Sequence, residues 1–69
     1  MVKLEALEQL IGMRVTLRLT AAAPGAPRIT GRLMGVLRAL DGAVVTIEPD
    51  GGAAPLTCHA HYIEGVEPA

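Results

Sequence analysis

The sequence reads as all-β: a very small five-stranded bent antiparallel barrel preceded by a short N-terminal helix. Residues 13–20 alternate strictly, with Met13, Val15, Leu17 and Leu19 on one face and Arg14, Thr16, Arg18 and Thr20 on the other. That alternation is the pattern of a half-buried antiparallel strand. Gly31-Arg-Leu-Met-Gly-Val, followed by Leu40-Asp-Gly-Ala-Val-Val-Thr-Ile, reads as one bent strand returning through a turn into another. A further turn at Pro49-Asp50-Gly51-Gly52 and the segment His59-Ala-His-Tyr-Ile then supply the remaining strands.

The elements can be justified in chain order. Leu4, Leu7 and Ile11, joined by Leu10, recur at helical spacing and Gly12 supplies a stop, so a helix is expected over about residues 3–11. It must pack on something, being too short to stand alone. The first strand is the alternating stretch 13–20. Ala21 to Pro27 carries Pro24, Gly25 and Pro27 and cannot continue a ladder, so it is expected to be a loop. The second strand covers about 28–37, and its alternation breaks: Ile29 and Leu33 share a face, then Val36 and Leu37 are adjacent. A bend or bulge is placed at Gly31 and Gly35, because a strand serving both halves of a small barrel needs residues lacking Cβ. Asp41-Gly42 forms the turn into a third strand over 43–48. A fourth strand over 55–61 has Leu56, Cys58 and Ala60 inward and Thr57, His59 and His61 outward, and a fifth over 62–66 uses Ile63 and Val66.

At 69 residues the chain is one domain. A domain of this size buries only about 60% of the surface its unfolded chain exposes, so it is marginal without support from a metal, disulfides or partner subunits. The single Cys58 excludes an intrachain disulfide, and Tyr62 is the only aromatic residue, so Leu, Val, Ile, Met and Ala must build the core. Burial between subunits is the expected supplement. With no long apolar run and no charged-then-apolar leader, neither a membrane nor secretion is expected and the location reads as cytoplasmic.

The formal net charge of -1 hides an uneven distribution. Arg14, Arg18, Arg28, Arg32 and Arg38 lie between Gln9 and Leu40 with no acid among them, whereas Asp41, Glu48, Asp50, Glu64 and Glu67 follow with no base. These are either solvated strand faces or faces of opposite sign suited to self-association or to anion binding. A whole-protein nucleic-acid footprint needs a basic excess, which this chain lacks.

No strong catalytic motif is present. His59 and His61, two apart on an expected strand, share a face and could offer two imidazoles to a metal, but without a nearby carboxylate the set is incomplete and no metal is expected. Cys58 alternates inward, where cysteine acts as a small hydrophobe rather than a nucleophile. Gly51-Gly52 lacks the helix and lysine of a phosphate loop, and Asp41 reads as a turn residue bonding its own backbone. Arg14 and Arg18, with Arg32 and Arg38 after the bend, could contact phosphates, or else form a solvated face or salt bridges between subunits.

A helix followed by five bent strands, with Gly-x-Leu in the second, an Asp-led turn into the third and Tyr-Ile-x-Gly-Val near the end, resembles the Sm-like (LSm) proteins over nearly the whole chain. The ending His61-Tyr62-Ile63-Glu64-Gly65-Val66-Glu67-Pro68 looks like the close of Hfq-type RNA chaperones. Equally, Gly31-Arg-Leu-Met-Gly-Val with Ile63 and Pro68 is similar to the C-terminal barrel of ribosome maturation factors. The resemblance implies an SH3-like, Sm-like barrel and a homo-oligomeric ring, a hexamer or heptamer, in which the fourth strand of one subunit pairs with the fifth of its neighbour. It also implies RNA as a partner, with His61 and Tyr62 near an inter-subunit pocket. Departures from the family pattern are definite: Val45 stands where an Asn contacts bases, Ala43 near where an aromatic stacks, Ala60 where a Lys precedes the closing His, and extra residues lie between Gly31 and Asp41.

The sequence therefore predicts a non-enzymatic module without cofactor or small-molecule substrate. RNA would be bound through His61, Tyr62, Arg32, Arg38, Arg14 and Arg18, while Gly31, Gly35, Asp41 and Gly42 shape bend and turn. The alternative is a structural or protein-interaction scaffold on the same barrel that does not bind nucleic acid.

Overall fold

The computed structural model describes residues 3–21 and 27–69. Its element order is helix α1 (Leu4–Gln9), strands β1 (Arg14–Leu19), β2 (Arg28–Ala39), β3 (Gly42–Pro49) and β4 (Leu56–His59), a 3-10 turn (Ala60–Tyr62) and strand β5 (Ile63–Pro68). The strands form one antiparallel sheet in the order β4-β3-β2-β1-β5. The expected all-β architecture is therefore present, as a bent, barrel-like sheet that does not close. Residues 22–26 of the expected loop lie outside the described residues.

Alternation builds the core as expected from β1. Val15 and Leu17 are fully buried and Leu19 nearly so, while Arg14 and Arg18 are exposed. Leu7, Leu33, Val45, Ile47 and Ile63 complete the buried cluster, and the partly buried Leu4, Leu10, Val36, Cys58 and Ala60 pack against it. Met13 departs from the expected inward set: it precedes β1 and is 49% exposed. Its carbonyl instead accepts from the Leu33 N–H at 2.9 Å, while the Gly12 N–H donates to the Leu33 carbonyl at 2.7 Å. These two bonds fasten the helix exit across β2, and Gly12 permits the turn with φ of +90°. The helix is accordingly shorter than expected, and Ile11, beyond its end, is largely exposed.

The broken alternation of β2 corresponds to an irregular register. Leu33 faces Ile47 and Gly35 faces Thr46, so Met34 is an extra residue with no opposite number. This bulge turns Val36 toward the core and leaves Leu37 exposed. Gly31 serves differently, since the ladder runs through it without a shift. A Cβ on Gly31 would lie 2.1 Å from the Glu48 carbonyl oxygen, so the residue permits a close approach of β2 to β3. β4 is shorter than the expected 55–61, because the chain leaves it at His59 into the 3-10 turn, and β5 correspondingly runs to Pro68. Leu56 and Cys58 stand opposite the buried Ile47 and Val45, which bears out their inward direction. No helix among the described residues is long and apolar enough to cross a membrane.

Candidate functional site

His59, the last residue of β4, has extended backbone and its Nδ1 accepts the His61 N–H at 3.4 Å. This bond caps the 3-10 turn, and the rings of His59 and His61 stand 4.2 Å apart at 44°. The row of tilted rings continues to Tyr62, 4.1 Å from His61 at 50°. His59 and His61 do come together, but not by strand alternation: His61 lies on the turn. The sequence assigns RNA contact to His61 and Tyr62 and weighs His59 only as a metal ligand beside His61; the turn that brings the three rings together is not visible in the spacing.

Two clefts meet at His59. One, of about 250 Å³, is lined by Asp41, Gly42, Ala43, His59, His61 and Leu4 of the helix. The other, of about 320 Å³ and largely apolar, lies on the β4 side of the open sheet among Leu19, Ile29, Leu56, Cys58 and Tyr62. His61 and Tyr62 therefore address different clefts. Gly42, with φ of +132°, leaves room for the imidazole: a Cβ there would come within 2.6 Å of His59 Cε1. Cys58 is half-buried, and desolvation pushes its thiol up, away from the reactive thiolate form. No group of three His, Cys, Asp or Glu among the described residues could hold a metal ion.

The arginines are distributed rather than gathered. Arg14 donates from Nε to both carboxylate oxygens of Asp50, at 3.0 and 3.2 Å. That hydrogen bonding, with the charge attraction, holds the Asp50 carboxyl below and the Arg14 guanidinium above their ordinary values. Arg18 pairs with Glu67 of β5 at 3.1 Å, and Arg38 reaches Glu8 of the helix at 2.6 Å. Among the described residues, Arg28 and Arg32 form no ion pair. Arg32 stands opposite both Arg14 and Glu48 in the ladder and lines a polar cleft of about 370 Å³ with Arg14, Asp50 and Gly51-Gly52. Three of the four arginines expected to meet phosphate are thus already neutralised by acids of the same chain. Arg38, opposite Ala43 in the ladder and so nearest in register to the first cleft, is one of them.

The two ends of the sheet are the remaining feature. Among the described residues, β4 and β5 each pair on one side only. On β4 the inward-facing Leu56 is 47% exposed, because no strand covers it laterally. No known protein family, curated protein or solved structure matches this chain.

Proposed function

We propose that this chain is a non-enzymatic, cytoplasmic Sm-like module that assembles as a homo-oligomer through its two sheet edges and binds single-stranded RNA at the corner carrying His59, His61 and Tyr62. The observation that carries the assembly is the open sheet itself. Two unpaired strand edges, one beside a half-exposed Leu56 and an apolar cleft, are a ready template for another copy. Placing β5 of a neighbour along β4 would satisfy both edges and cover Leu56, supplying burial that a 69-residue chain lacks. A ring of six or seven copies is the closed form of such head-to-tail pairing.

RNA binding is supported by the cluster of three rings, since a base can stack on an exposed ring face for about 1–3 kcal/mol. Arg32, free of an ion pair among the described residues, lines a separate polar cleft with Arg14 and is the arginine left for a phosphate further along the strand. Titration with short U-rich and A-rich oligonucleotides at two salt concentrations tests it. Binding that weakens with salt, and falls roughly tenfold on His61→Ala and on Arg32→Ala, is the expected result. Absence of binding at low salt leaves the protein-interaction scaffold, which the internal pairing of Arg14, Arg18 and Arg38 with Asp50, Glu67 and Glu8 favours.

A further inference from the structure

Strand alternation sorts the far half of the β2–β3 hairpin into two faces. Val36, Val45 and Cys58 stand in one ladder row and pack on the core. The flanking rows therefore face outward: Leu37 with Val44 and His59, and Gly35 with Thr46 and Thr57. Leu37 is 70% exposed, and a Cβ on Gly35 would meet nothing within 4 Å, so no described residue covers these rows. Half-exposed Met34 sits at the bulge beside them. No Arg, Lys, Asp or Glu lies among them. Arg38 stands opposite the buried Ala43 on the other face and reaches Glu8 of α1, and Asp41 at the turn lines the cleft on the helix side. An outward antiparallel face is ordinarily polar, and an apolar one rimmed by charge marks a protein contact.

The rim says which protein. Arg32 and Glu48 stand directly opposite each other at the border of this face, both exposed, yet they form no ion pair with one another. A two-fold axis along the strands, between β2 and β3, lays β2 of one copy over β3 of the other. It sets Arg32 over the second copy's Glu48 twice, and Leu37 over the second copy's Val44 twice, a self-complementary arrangement. We propose that this chain pairs face to face with a second copy through Leu37 and Val44, flanked by two reciprocal Arg32 to Glu48 ion pairs. Strands of packed sheets stay within about 30° of one another, which preserves this correspondence along the hairpin. Because the sheet is bent, only the β2 and β3 rows meet, with a footprint on the order of 200 Å² by strand spacing and rise. A stable interface covers roughly 800 Å² per partner, so lone chains pair weakly, at concentrations approaching about 1 mM. The pairing leaves both sheet edges free and does not depend on the assembly proposed above; an Arg32 held in it is withdrawn from phosphate.

Sedimentation equilibrium of the full chain from about 10 μM to about 1 mM at neutral pH tests this. Leu56→Lys, which removes the edge assembly, is expected to pass from one chain toward two over that range. Should the native chain itself be single at about 10 μM, the edge assembly has failed and the native chain serves in place of Leu56→Lys. Leu37→Lys, at an exposed position, should weaken the pairing at least about tenfold, and Glu48→Lys likewise, because it sets like charges over each other. Combining Glu48→Lys with Arg32→Glu reverses both charges and should restore the pairing, a recovery that neither a folding defect nor unspecific adhesion of leucines produces. A mass of one chain up to about 1 mM, pairing indifferent to Leu37→Lys, or a double variant no better than Glu48→Lys alone overturns the proposal. If Leu56→Lys is still assembled at about 10 μM, adding Leu37→Lys must lower its mass, and an unchanged mass overturns the proposal equally.

Discussion

Gly31 and Gly35 lie four residues apart on one strand, yet a methyl group means different things at each. At Gly31 an added Cβ would meet the Glu48 carbonyl oxygen and the Pro49 Cα, both backbone atoms that cannot swing aside. At Gly35 it would meet nothing within 4 Å. Gly31→Ala is therefore expected to cost about 1–3 kcal/mol, the range for forced overpacking, and Gly35→Ala to stay within about 0.5 kcal/mol. Urea midpoints of the two variants check this, and equal midpoints contradict it. The sequence made both glycines legible as positions needing no side chain, but not which need each served. Close approach to β3 depends on a strand distant in sequence, where Gly31 stands opposite Pro49 and against the Glu48 carbonyl, and the extra residue proved to be Met34.

At the scale of elements, α1 shows how a short helix is held. Its six residues are too few to persist alone in water, so burial must hold it. Leu7 is its only fully buried side chain, with Leu4 and Leu10 packed beside it and Glu8 paired to Arg38 on the surface. Leu7→Ala is expected to cost about 2–5 kcal/mol and to speed amide exchange across residues 4–9. Unchanged exchange there would mean that the helix is held by its other contacts. The helical period was legible because Leu4, Leu7 and Ile11 recur on one face. Its end was not, since the chain is turned by bonds from Gly12 and Met13 to Leu33, far along the sequence. The fourth strand ended early for a similar reason. His59 and His61 satisfy a two-residue period as well as a capped turn does, and only the Nδ1 acceptor distinguishes them.

At the scale of the whole molecule, the split of charge along the chain was legible and its use was not. A run of five arginines followed by five acids suggested faces of opposite sign, but the antiparallel sheet folds one half onto the other. Arg14 meets Asp50 and Arg18 meets Glu67 within one copy. Such exposed pairs contribute little to stability, yet they remove the basic face that phosphate binding would have used. What the fold leaves unsatisfied is geometric rather than electrostatic: two bare strand edges and a half-exposed Leu56. Assembly through those edges is the centre of the account, and sedimentation equilibrium at micromolar concentration and neutral pH tests it most directly. The native chain should sediment as several copies and Leu56→Lys, a change at an already exposed position, as one folded chain. A native mass equal to one chain, or an oligomer unaffected by Leu56→Lys, would contradict it.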